Sequence, residues 1–138
     1  MEIDVEGGCR CGAVRYRVRG FVLASGICHC RTCRRTASAP SLPFATIAAA
    51  SFRLIHGCPV EQRSSEHVRR GFCGACGSPL TWRHDAKPGR LDVMICSLDD
   101  PAAVPPTFHV WTSHAPAWSI VADGLPRFAT ARPTTGSG

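Results

Sequence analysis

The sequence predicts a mainly β domain built from short antiparallel strands. Three observations point there. Apolar and charged residues alternate over short stretches and show no sustained helical repeat. Thirteen glycines and eleven prolines punctuate the chain and leave little room for long helices. Nine cysteines gather largely in three tight clusters, which can staple short elements together. A length of 138 residues suits one domain rather than two. With 44% hydrophobic and 19% charged residues, a disordered or low-complexity chain is excluded.

The clearest strand signal is residues 13–19, where Val14, Tyr16 and Val18 share one face and Arg15, Arg17 and Arg19 the other. Further short strands are expected at residues 52–55, 79–84, 91–97 and 107–113. Turn clusters such as Asp99-Asp100-Pro101 and Ala122-Asp123-Gly124 separate elements. Residues 31–35 and 101–104 alone suit short helices. The most apolar stretch, residues 37–52, is broken by Pro40 and Pro43 and is too short to span a bilayer, so no membrane partner is expected. The domain is expected over residues 1–130, with a flexible tail at 131–138.

An odd number of cysteines cannot all pair within the chain, and nine in 138 is sparse for a disulfide scaffold. Residues 1–6 are acidic and lack the apolar core of a secretory signal. A cytoplasmic location with reduced thiols is therefore expected, which points to metal or redox chemistry.

The cysteine spacing is specific. Cys73-Gly74-Ala75-Cys76 is a C-x-x-C that supplies two corners of a zinc tetrahedron from one turn. Cys9-Arg10-Cys11 is its natural partner, because residues i and i+2 of an extended segment face the same side. Four thiolates close the coordination sphere, so that site is structural. Cys28-His29-Cys30-Arg31-Thr32-Cys33 is different: it offers three sulfurs within six residues. Its fourth corner is open to water, substrate or a distant side chain, as at a catalytic zinc. Two readings stay open beside this one. All seven cysteines can be structural, or Cys73 and Cys76 can form a redox pair, although no βαβ pattern surrounds them. His29 points away from the metal if its segment is extended. Cys58 and Cys96 stand outside the clusters and are expected as ordinary buried thiols, Cys58 being the more exposed.

The formal charge is +6, carried by fifteen arginines and one lysine, Lys87. No basic helix or long basic run accompanies it, and 7% aromatic residues make no base-stacking platform, so no nucleic-acid partner is expected. Seven metal-bound thiolates and two Zn²⁺ lower the total to about +3.

Four motifs in order carry a resemblance. They are Gly7-Gly8-Cys9-Arg10-Cys11-Gly12-Ala13-Val14-Arg15-Tyr16, Cys28-His29-Cys30-Arg31-Thr32-Cys33-Arg34-Arg35 and Phe72-Cys73-Gly74-Ala75-Cys76-Gly77-Ser78-Pro79-Leu80. A closing series follows, Phe108-His109-Val110-Trp111, Pro116-Ala117-Trp118 and Leu125-Pro126-Arg127-Phe128. Together they resemble the glutathione-dependent formaldehyde-activating enzyme family, also called the centromere protein V family. The resemblance implies an Mss4-like β-tent fold and the zinc pairing reached above, two Zn²⁺ per chain. It implies a carbon–sulfur lyase-type reaction, run as condensation of glutathione with formaldehyde to S-hydroxymethylglutathione. One departure is Ser38-Ala39-Pro40, where the family often has Gly-Ala-Pro.

The expected mechanism places a substrate thiol at the open corner of the Cys28/Cys30/Cys33 zinc, where it adds to a small aldehyde. Arg31, Arg34 and Arg35 are candidates to offset charge or hold substrate carboxylates, with His109 and Trp111 as further candidates for the substrate pocket. The alternative is a zinc-binding module without turnover, or a zinc or thiol sensor.

Overall fold

The computed structural model describes residues 1–133. Its organising element is one long strand. β1 (Glu2–Gly8) leads into β2 (Arg15–Cys28), which runs for 14 residues and serves two sheets in succession. Its first part, from Arg15 to Phe21, carries β1 on one edge and β4 (Phe52–His56) on the other. Its second part, Val22 to Cys28, carries β3 (Leu42–Ala48) on one edge and the two-residue β9 (His109–Val110) on the other. The register slips between Val22 and Ala24. Such a bulge bends a strand and lets it leave one sheet for the next.

Beyond β3 the sheet continues through β8 (Arg90–Met94), β7 (Pro79–His84), β6 (Val68–Phe72) and β5 (Val60–Arg63). All of these pairings are antiparallel, and among the described residues only β9 lies parallel to a neighbouring strand. α1 (Arg31–Ala37) is the one α-helix among the described residues. No described helix is long and apolar enough to cross a membrane.

The alternation over residues 13–19 does what it predicts. Tyr16 and Val18 are wholly buried and pack with Ile3, Ile47, Leu80 and Val93. The opposite face is ion-paired: Arg15 forks onto Asp99 at 2.8 and 2.6 Å, and Arg17 onto Asp4 at 2.7 Å. The buried Tyr16 hydroxyl lies 2.6 Å from Ser97 Oγ. Position 7 must be glycine for this packing, since a Cβ there would meet the Tyr16 hydroxyl at 2.6 Å.

Several expectations are revised. The strand at 13–19 continues to Cys28 through the small residues Ala24, Ser25 and Gly26. These small residues carry no apolar alternation, yet the ring of Phe108 fills the space over Gly26. The strand expected at 91–97 ends at Met94, and Ile95–Ser97 form a 3₁₀ turn. The strand expected at 107–113 is only His109–Val110, followed by a 3₁₀ turn at Thr112–His114. β1, β3, β5 and β6 were not anticipated. The helix at 31–35 and the turn at 101–104 are present as α1 and as the 3₁₀ turn Pro101–Ala103. Of the tail expected at 131–138, residues 134–138 lie outside the described residues, while the Arg132 guanidinium sits 4.3 Å above the Phe108 ring.

Candidate metal centres

Two hairpin turns build the first centre. Cys9 and Cys11 lie between β1 and β2, and Cys73 and Cys76 between β6 and β7. Both turns are closed by a glycine amide that bonds back to the first cysteine. The Gly12 amide donates to the Cys9 carbonyl at 3.2 Å, and the Gly77 amide to the Cys73 carbonyl at 2.8 Å. Both glycines have positive φ, +81° and +79°, a conformation that costs other residues strain. The Cys9–Cys11 segment is thus a turn and not extended, a correction to the expected geometry. The β1–β2 hairpin forces it, because the Cys9 amide must reach the Val14 carbonyl, at 3.1 Å.

The four Sγ atoms lie within 4.8 Å of one another. Cys9 and Cys11 are 3.6 Å apart, and Cys11 and Cys73 3.8 Å. A disulfide needs about 2.05 Å. Four sulfurs at about 2.3 Å from one ion stand about 3.8 Å apart, so the set fits a tetrahedral metal. The hydroxyl of Ser78 ties the two turns together. It accepts from the Arg10 amide at 3.0 Å and lies 3.1 Å from Cys76 Sγ. Hydrogen bonds from Ser78 hold the Cys76 thiol down at about 5, ready as a thiolate ligand.

The second centre sits where β2 passes into α1. Cys28 ends the strand, Cys30 caps the helix and Cys33 lies in its first turn. The Cys33 amide donates to Cys30 Sγ at 3.3 Å. The three Sγ atoms again lie within 4.8 Å of one another. Mutual hydrogen bonding splits their titration: contacts with Cys28 and Cys33 lower Cys30, while those with Cys30 and Cys33 raise Cys28. One thiolate is therefore favoured even without a cation. Unlike the first set, these sulfurs open onto a cavity of about 200 Å³, walled by Phe44, Trp82, Met94 and Trp111.

Two charged groups share that cavity, Arg70 and Asp92. Arg70 Nη2 donates to Cys33 Sγ at 3.5 Å. Asp92 accepts from the Thr46 hydroxyl at 2.6 Å. Burial pushes its carboxyl up to about 6, against the opposing pull of Thr46 and Arg70. Neither residue was singled out from the sequence. Arg70 stands beside Arg69 as one of fifteen arginines, and nothing in its local sequence sets it apart. Asp92 did leave a signal, being the lone carboxylate in the apolar run 91–97.

The other expected residues are distributed as follows. Trp111 lines the three-cysteine cavity. His109 does not, because its ring is wholly buried between His29 and Asp123, at 2.8 Å from each. His29 faces away from the sulfurs, and its amide donates to the Val110 carbonyl at 3.0 Å. The Asp123–His109–His29 chain thereby ties the cysteine loop to β9. Arg34 and Arg35 line a separate cavity with Pro40, Pro116 and Trp118. The helix explains this. Cys33 faces inward, and each following residue turns about 100° further around the axis. Cys58 and Cys96 are both exposed. This corrects the expected burial of both: Cys58 lies in the connection between β4 and β5, and the 3₁₀ turn at 95–97 rotates Cys96 off the strand face.

The comparisons with known proteins agree with this architecture. The family model described as "Glutathione-dependent formaldehyde-activating enzyme" matches residues 4–114. A curated Halomonas elongata protein named "Putative glutathione-dependent formaldehyde-activating enzyme" is 28% identical over 124 residues, 83% of this chain and 78% of that one. A crystal structure of a Rhodobacter sphaeroides protein superposes with a TM-score of 0.58 at 24% identity, covering 73% of this chain and 91% of its own, a likeness of fold. With most of its length under one family model and both cysteine centres assembled, the chain belongs to the glutathione-dependent formaldehyde-activating enzyme family.

Proposed function

We propose that this protein is a zinc-dependent carbon–sulfur lyase-type enzyme of the cytoplasm, acting on the adduct of a glutathione-like thiol and a small aldehyde such as formaldehyde. One observation carries the reading. Three convergent sulfurs form part of the wall of a cavity, whereas the other four make a set complete in itself. Thiolate-rich tetrahedral sites suit zinc. Cys9, Cys11, Cys73 and Cys76 would hold the structural ion, and Cys28, Cys30 and Cys33 the catalytic one. A zinc ion at the three cysteines supplies a cation that favours the thiolate form of an entering thiol.

The chain's own residues do the rest. Three thiolates leave that centre with a net charge near −1, and a substrate thiolate lowers it further. Arg70, hydrogen-bonded to Cys33, offsets part of this charge. Phe44, Met94 and Trp111 present apolar walls that exclude water and hold a one-carbon aldehyde near the sulfur. Arg34 and Arg35 line a separate cavity and are left for contacts to the outer part of a larger substrate.

The test is exchange spectroscopy with ¹³C-formaldehyde and glutathione. The zinc-loaded protein is expected to speed interconversion of free aldehyde and adduct, and Cys30→Ser to abolish that effect. Zinc-loaded protein that binds two ions yet leaves the exchange at its uncatalysed rate would favour a zinc-binding module or sensor.

A further inference from the structure

Thr46 on β3, Asp92 on β8 and Trp82 on β7 stand in register across one face of the sheet. Asp92 and Trp82 border two cavities at once. One is the three-cysteine cavity; the other, of about 340 Å³, has His84, Lys87 and Arg90 at its rim. Among the described residues Asp92 is the one carboxylate lining the three-cysteine cavity. The Thr46 hydroxyl fixes its Oδ1 at 2.6 Å. Among the described residues the carboxylate has no other hydrogen-bond or ion-pair partner.

The proposed reaction needs a group that accepts a proton and gives it back. The cysteines of the cavity are committed as metal ligands. The guanidinium of Arg70 offers only donors and cannot accept. His109 is engaged at both ring nitrogens, His29 is engaged only through Nε2, and neither ring lines the cavity. We infer that Asp92 takes the proton of the entering thiol and returns it to the oxygen of the adduct. This rests on the proposed function and names the acid–base group for it. In the forward direction the S–H bond breaks, its electron pair stays on sulfur and the proton passes to the Asp92 carboxylate. The sulfur then attacks the aldehyde carbon: a C–S bond forms, the C=O π pair moves to oxygen, and Asp92 protonates that oxygen. The lyase direction reverses each step, and no other reactant is consumed.

The surroundings suit the task. Arg70, from β6, faces Asp92 from the cysteine side, together with the thiols of Cys28, Cys30 and Cys33. His84, Lys87 and Arg90 face it from the second cavity. Burial already brings the carboxyl up to about 6, within reach of neutrality. A thiolate arriving beside it adds negative charge and strengthens its hold on the transferred proton.

The test is glutathione binding to the zinc-loaded full chain, without aldehyde, by calorimetry at pH 7.5 in two buffers of different ionisation enthalpy. Wild type is expected to release well under half a proton per thiol bound, because Asp92 keeps it. Asp92→Asn, and Asp92→Ser as a second variant should the first fold poorly, are expected to release about one proton at unchanged zinc content. Equal release from wild type and variants would overturn the role of Asp92 alone. Failure of the wild type to bind thiol would instead overturn the proposed function, and this inference with it.

Discussion

Replacing Asp92 with Asn changes one atom type and keeps the hydrogen bond that Thr46 donates. Its effect on stability follows from the carboxyl's environment. Burial raises the carboxyl from 3.8 to about 6. Between those values the folded chain holds a proton that the unfolded chain has lost, so stability falls as pH rises through that window. Above pH 7 the folded state carries the full penalty, about 3 kcal/mol at roughly 1.4 kcal/mol per pH unit. Near pH 5 about half of it remains. Asn carries none, so any fixed cost of the substitution is the same at both values and drops out of the comparison. Urea unfolding of zinc-loaded wild type and Asp92→Asn at pH 5, 6.5 and 8 is the assay. The variant is expected to gain about 1–1.5 kcal/mol relative to wild type between pH 5 and 8. A difference constant with pH would refute the reasoning, because the carboxyl would then titrate alike in both states.

Two further substitutions separate the structural elements. Cys73→Ser removes a sulfur from the four-cysteine set that joins the β1–β2 and β6–β7 hairpins. Structural zinc contributes on the order of 10 kcal/mol, comparable with the whole stability of a domain. Loss of the cooperative thermal transition by circular dichroism is expected, and a native transition with one ion fewer would contradict it. Gly26→Ala places a Cβ 2.6 Å from the Phe108 ring, which packs in the same cluster as Cys28. A destabilisation of about 1–3 kcal/mol is expected by urea unfolding, and an unchanged midpoint would show that the ring moves freely.

The parts legible in the sequence are those whose chemistry is local. The grouping of Cys9 and Cys11 with Cys73 and Cys76 follows from spacing and ligand count, and the structure brings their sulfurs together. The arginine alternation of residues 15–19 marks a strand because each residue type faces its own environment. Less was legible where the partner is distant. β6 reads Val-Arg-Arg-Gly-Phe, with no alternation, because both its faces meet neighbours. Its Arg70 reaches Cys33 from 37 residues away, and nothing in spacing reports that contact. Arg34 and Arg35 adjoin Cys33 in sequence, yet helical rotation carries them to another cavity. His109 was drawn toward substrate by its motif, whereas burial gives it His29 and Asp123 as partners. β3 lies within the apolar stretch 37–52, where prolines masked a strand that sits between β2 and β8.

The central claim is that the three-cysteine centre keeps one position for a substrate sulfur. X-ray absorption at the zinc edge measures it directly, by counting sulfur neighbours before and after addition of glutathione. With four cysteines at one ion and three at the other, the mean count is expected to rise from about 3.5 to about 4 per zinc, with Zn–S held near 2.3 Å. A count of 4 before glutathione, or one that stays near 3.5 at saturating glutathione, would contradict it.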